Sequence, residues 1–206
     1  MAENIVELLT DVADAIREKK GSNEPINAQN FADEIKNLPS GGDDGLAMSL
    51  LKRTITEYSN EEITEFGPFT FAGCSQLVRL NVPNLRYTSK LFIQESGLRE
   101  LELPNIYSLS AQSFQNCRSL EKVILGEGMC YQVANMAFYE CTSFTTLVLL
   151  SNELLNLGSS VFYNTKIAKG EGYIYVKDEL VESYKSSTNW SAYADQIKPL
   201  SELPQE

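Results

Sequence analysis

The sequence predicts an α/β repeat fold: a solenoid whose short strands stack as a parallel β-sheet, preceded by a short helical module and closed by a C-terminal cap. Two observations carry this expectation. Apolar residues recur in one fixed register through residues 46–170, the signature of a stacked repeat. Before them, residues 4–20 follow the 3.6-residue period of an amphipathic helix instead.

The helical module comes first. Ile5, Leu8, Leu9, Val12 and Ile16 share one helical face, Asn4 is placed to cap it, and Arg17, Lys19 and Lys20 sit where the helix dipole favours cations. Gly21 suits the C′ position. A shorter helix follows, capped at Asn27, with Phe31, Ile35 and Leu38 as its stripe and Pro39 as its stop. "SGGDDG" at 40–45 reads as a flexible polar linker. The expected organisation is therefore a helical module at 1–39, a linker at 40–45, a solenoid at 46–170 and a cap at 171–206.

The repeats begin at Ile63, from which apolar or small residues fall at Phe71, Cys74, Leu77, Leu80 and Val82. From Ile106 the same offsets give Phe114, Cys117, Leu120, Val123 and Leu125, and from Cys130 they give Phe138, Cys141, Phe144, Leu147 and Leu149. A degenerate copy runs from Leu85 through Ile93, Ser96, Leu98, Leu101 and Leu103 with one residue deleted; a partial copy starts at Leu154 with Phe162. Starts at 63, 85, 106, 130 and 154 give a period of 21 to 24, the range of leucine-rich-repeat solenoids. The L-x-x-L-x-L ending of each unit is the strand, with alternate residues pointing inward and rungs about 4.8 Å apart. "RTITEY" at 53–58 supplies a strand before the first unit, and Phe71, Ile93, Phe114, Phe138 and Phe162 form an internal stack across the core.

"FAGCSQLVRLNVP" and "FQNCRSLEKVIL" resemble the BspA-type leucine-rich repeat, whose units read roughly A-F-x-x-C-x-x-L-x-x-I-x-L-P. "GYIYVKDELVESYKSSTNWSAYADQIKPL" resembles the strand and helix that often close such arrays in proteins of gut Firmicutes and their phages. The opening "LLTDVADAIREKKGSNEPINAQNFADEIKNL" is similar to a helical module of phage or prophage tail-associated proteins. The resemblance implies a non-enzymatic binding or adhesion module, tail-associated or displayed at a cell surface, that recognises a protein or glycan. The N-terminal helices would then serve attachment or oligomerisation. A bacterial cell-envelope adhesin of the same repeat type is the alternative.

Composition narrows the chemistry. A formal charge of −11 disfavours a nucleic-acid partner, which needs a basic surface, and an anionic membrane. Histidine is absent, which removes the commonest general base and metal ligand. No apolar run reaches the length of a membrane span, and the N-terminus lacks the basic-then-apolar pattern of a signal peptide. The expected location is a virion tail or cell surface, otherwise the cytoplasm, and no cofactor or metal is expected.

Four features compete for a functional role. Cys74, Cys117 and Cys141 recur at one offset, either as reactive thiols or as small buried packing residues; without C-x-x-C spacing, packing is favoured. Glu100 and Glu102 could pair as in a glycosidase, but the alignment sets Glu100 between Arg79 and Lys122 in a charge ladder. Trp190, Tyr184 and Tyr193 could stack on sugars, or could seal the open end of the core with Leu180 and Ile197. On the outer face of the sheet, the column Asn81, Glu102, Ile124, Val148, Tyr175 and its neighbour Arg79, Glu100, Lys122, Thr146, Tyr173 turn from charged to apolar and aromatic. Ile124, Val148, Tyr173 and Tyr175 are thus the candidate binding residues, unless the closing segment or the N-terminal helices fold over them.

Overall fold

Alternation within each L-x-x-L-x-L ending sends every second residue into a shared core, so each ending forms a strand that buries one face and pairs with the next copy. A computed structural model describes residues 53–126 and 130–204, all within one unit, Leu50–Glu206. The helices expected over 4–39 and the linker at 40–45 lie outside the described residues.

The strands in chain order are β1 (Glu57–Ser59), β2 (Arg79–Asn81), β3 (Glu100–Leu103), β4 (Ser108–Leu109), β5 (Lys122–Leu125), β6 (Gln132–Val133), β7 (Thr146–Leu149), β8 (Asn156–Leu157), β9 (Tyr173–Val176) and β10 (Ile197–Pro199). One short α-helix, α1 (Val181–Ser186), lies between β9 and β10, followed by a 3-10 segment, Trp190–Gln196. β3, β5, β7, β9 and β10 form one five-stranded sheet, all parallel; β4, β6 and β8 form a second on another face of the coil; β1 and β2 pair separately. Register across the larger sheet is that read from the repeats: Glu100, Lys122, Thr146 and Tyr173 share one column, and Glu102, Ile124, Val148 and Tyr175 another.

Between the sheets lies a continuous apolar core. Phe71, Ile93, Phe114, Phe138 and Phe162 are all buried, and rings in successive rungs stack: Phe114 on Phe138 at 5.2 Å, Phe138 on Phe162 at 6.1 Å. Full burial of each such ring is worth about 1.5–3 kcal/mol. The corner that carries the ring bends through left-handed backbone twice per rung, at Gln112 and Asn116, Met136 and Glu140, and Ser160 and Asn164. That conformation costs an L-residue roughly 1–2 kcal/mol. It is offset by amides that reach the neighbouring rung, such as Phe114 N–H to Ala137 C=O at 2.9 Å and Asn116 N–H to Tyr139 C=O at 2.9 Å.

The sheet does not run unbroken through the array. β2 and β3 lie side by side without pairing, at the point where the degenerate copy lacks a residue. The deletion falls in the turn before β3, and Gly97 there is pressed so close to the previous rung that a Cβ would lie 2.2 Å from the Ser75 carbonyl oxygen.

At the other end, the closing segment seals both sheets by different means. β10 adds a parallel strand to β9, a return strand the sequence reading did not foresee, and its Lys198 and Pro199 are residue types that discourage further edge pairing. The edge of β8 is covered by side chains instead. Trp190 Nε1–H donates to Leu155 C=O at 2.6 Å, Asn189 Nδ2–H donates to Leu157 C=O at 2.7 Å, and the Tyr184 hydroxyl accepts the Leu155 N–H at 3.2 Å. Trp190 and Tyr184 are buried and meet edge-to-face at 5.0 Å. Of the two roles weighed for these aromatics, the geometry is that of a cap.

Candidate functional site

The recurring cysteine slot is architectural. Cys74, Ser96, Cys117, Cys141 and Thr165 occupy equivalent corners, all buried. Cys117 Sγ–H donates to Ile93 C=O and Cys141 Sγ–H to Phe114 C=O, each at 3.0 Å and each one rung back; Thr165 Oγ1–H instead bonds Phe162 C=O of its own rung at 2.8 Å, and Ser96 Oγ lies 3.5 Å from Cys117 Sγ. The slot thus takes a small buried side chain whose tip, a thiol or a hydroxyl, can make a hydrogen bond at the corner. All four cysteines are free. Among the described residues, no three histidine, cysteine, aspartate or glutamate side chains converge as metal ligands would.

The outer face of the five-stranded sheet differs from the expected binding surface. Ile124 is half-buried and Tyr173 is 44% exposed, but Val148 is 1% and Tyr175 7% exposed. Both buried residues stand in an outward column, yet neither belongs to the main core. The chain's own closing segment lies against β9, which carries Tyr175. After β10 a 3-10 turn, Leu200–Glu202, contacts β9, and Ser201 N–H donates to the Asp178 carboxylate at 3.1 Å. Burial raises the Tyr175 hydroxyl above its ordinary pKa, with Tyr173 and Glu202 adding to the shift, so Glu202 lies close by on this face. The continuous apolar patch expected from Ile124 to Tyr175 is therefore divided, and only its two flanks reach solvent. Lys198 Nζ rests 5.9 Å from the Tyr173 ring centre, within cation–π range.

Where β2 and β3 fail to pair, the same face opens into a cleft of about 350 Å³. Leu80 and Leu101 form its floor, and Arg79, Glu100, Lys122 and Ile124 stand around it. Arg79 reaches Glu57 at 3.3 Å and Arg99 reaches Glu121 at 2.7 Å, so cross-rung ion pairs brace its sides; both are exposed and worth at most about 1 kcal/mol each. Glu100 and Glu102 are exposed on β3 and face Lys122 and Ile124 in register.

A second surface was missed by the sequence reading. Tyr87 and Tyr131 are 46% and 43% exposed, and Tyr107 lies between them, half-buried. Their ring centres are 5.5 Å (Tyr87–Tyr107) and 4.8 Å (Tyr107–Tyr131) apart, one ring per rung along the edge of the second sheet. The only signal was a tyrosine one or two places after the first apolar residue of three units, a position outside the core template.

A family profile described as "BspA type Leucine rich repeat region (6 copies)" matches residues 47–121 and 64–178. The chain belongs to the BspA-type leucine-rich-repeat family. Among solved structures, a leucine-rich repeat protein from Bacteroides ovatus is 12% identical over 70% of this chain and 54% of that one, with a TM-score of 0.27. The chain thus spans just over half the length of that relative. No curated protein matches.

In BspA-type terms, the cysteine of the unit is the corner donor described above, and serine or threonine replaces it where the unit is degenerate. Cys130 is different: it sits at a unit start, buried, with only a long 3.9 Å contact to Gln132 C=O. Burial pushes its thiol from 9.0 up to about 11, against a smaller opposing contribution from Gln132. The unfolded chain loses this proton near pH 9 while the folded chain keeps it to about pH 11. Stability from this group is therefore complete below pH 9 and falls through that window by roughly 2–3 kcal/mol. Urea midpoints followed through the window should decline less steeply for Cys130→Ala than for the parent; equal slopes would assign the alkaline loss elsewhere.

Proposed function

We propose that this BspA-type repeat protein is a binding and adhesion module, tail-associated or displayed at a surface, that recognises a protein or glycan. The observation that supports this most directly is the open outer face around the β2–β3 split. The scaffold there presents an apolar floor ringed by charges of both signs, with Ile124 on its margin. Solenoids in general use such faces as extended contact surfaces, and membership of the BspA-type repeat family supports that reading. Residues 1–39 act in this reading as the attachment or oligomerisation module. Among the described residues, no helix is long and apolar enough to cross a membrane.

The test is binding of the labelled intact chain to Firmicute cells. Saturable binding is expected, weakened roughly tenfold or more by Ile124→Asp, since a few well-placed contacts dominate most interfaces. Tail association is checked separately by searching purified particles for the chain by mass spectrometry. Absence of saturable binding to cells would sink the adhesion reading.

A further inference from the structure

We propose that the tyrosine stripe Tyr87–Tyr107–Tyr131 on the second sheet is a binding track for a neutral glycan chain. This rests on the binding-module reading but assigns a separate face and a ligand class. Two adjacent columns compose the surface. One runs Thr64, Arg86, Tyr107, Tyr131, joined by the hydrogen bonds Arg86 N–H to Thr64 C=O, Tyr107 N–H to Arg86 C=O and Tyr131 N–H to Tyr107 C=O. The other runs Glu65, Tyr87, Ser108, Gln132, Asn156 through the bridges and pairings of the second sheet.

Three features of this surface point to one kind of ligand. The first is electrostatic. The two columns hold one acid, Glu65, and one base, Arg86, both at the same end, so the stripe carries no net charge on a chain whose formal charge is −11. An anionic polymer gains nothing here, and a basic one would be drawn to the acidic surface elsewhere. The second is the chemical mixture. Tyrosine rings offer an apolar face with a polar tip, and the C–H face of a pyranose stacks on such rings while its hydroxyls need neutral hydrogen-bond partners. The side-chain amides of Gln132 and Asn156 lie beside the rings and have no hydrogen-bond partner among the described residues. The third is periodicity. The rings follow the rungs at 5.5 and 4.8 Å, a spacing close to the length of one sugar unit, so consecutive units of one glycan chain can meet consecutive rings.

The experiment is affinity electrophoresis of the intact chain through gels containing laminarin, yeast mannan or hydroxyethyl cellulose, with heparin as the anionic control. Retardation by at least one neutral polysaccharide and none by heparin is expected. Tyr131→Ala and Tyr87→Ala, both at exposed positions, should weaken the retardation roughly tenfold with little change in Tm. Gln132→Glu should weaken it too by introducing a charge. Tyr107→Ala is the stronger test if it folds; if it does not, the other three variants decide. No retardation by any neutral polysaccharide, or retardation that all these variants leave unchanged, overturns the proposal. A cell-binding arm separates this failure from that of the broader reading. Saturable cell binding that survives both the tyrosine variants and periodate oxidation of cell-surface sugars refutes the glycan track while leaving adhesion standing. Absence of cell binding beside retardation that the tyrosine variants abolish removes the adhesion reading and leaves the glycan track.

Discussion

Replacing Phe138 with alanine is expected to lower the unfolding free energy by about 3–5 kcal/mol. Phe138 is fully buried at the centre of the aromatic column, with Phe144 at 4.6 Å, Phe114 at 5.2 Å and Phe162 at 6.1 Å. Three rings lose a partner when it is truncated, and the corner around it is held by hydrogen bonds between rungs that resist collapse into the void. In a solenoid each rung is coupled mainly to its neighbours, so the damage should also uncouple the two ends. The single tryptophan, Trp190, reports on the cap. Urea unfolding followed by its fluorescence and by far-UV circular dichroism should coincide in the parent and separate in Phe138→Ala. Phe138→Leu, which keeps most of the volume, should cost far less. Coincident transitions and a loss under about 1 kcal/mol in the alanine variant would mean that the column is not the coupling element.

Trp190→Ala is expected to be comparably severe, at about 3–5 kcal/mol, and different in kind. The indole both fills the end of the core and donates to Leu155 C=O at 2.6 Å. Its loss leaves a buried carbonyl unpaired, which by itself costs roughly 1–3 kcal/mol. Trp190→Phe separates the two contributions, keeping most of the packing while removing the donor. Because Trp190, Asn189 and Tyr184 together cover the edge of β8, the alanine variant should also expose that edge to pairing with other chains. Size-exclusion chromatography should then show concentration-dependent association that the parent lacks. A monodisperse Trp190→Ala would show that the remaining cap side chains suffice to cover the edge.

How far the sequence could be read depended on what each residue repeats. Cys141 could be assigned to a core slot from its letters alone, because the same slot recurs at Cys117 and Cys74 and the neighbouring Phe and Leu keep register. The corner hydrogen bonds of Cys117 and Cys141 to carbonyls one rung back depend on a backbone path that periodicity does not encode. Tyr107 escaped notice for the opposite reason. It lies just outside the core template, and its meaning comes from Tyr87 and Tyr131 lying one rung to either side, a proximity that appears only once the coil is wound.

Val148 and Tyr175 mark the boundary most clearly. Period-two alternation correctly placed both on the outward column, as the register Glu102, Ile124, Val148, Tyr175 shows. An outward position need not be an exposed one. For Tyr175 the neighbouring cover comes from the return through β10 to the turn at Leu200–Glu202, which belongs to no repeat. The break between β2 and β3 is similar: the missing residue was visible as a deletion, but the unpaired strands and the cleft beside them appear only in the folded chain. The repeat, its register, the inward set and the small corner slot follow from local periodicity, since each unit solves the same burial problem against a copy of itself. The exposed surface was settled by contacts between unlike parts of the chain, because what covers a column is set by packing rather than by period.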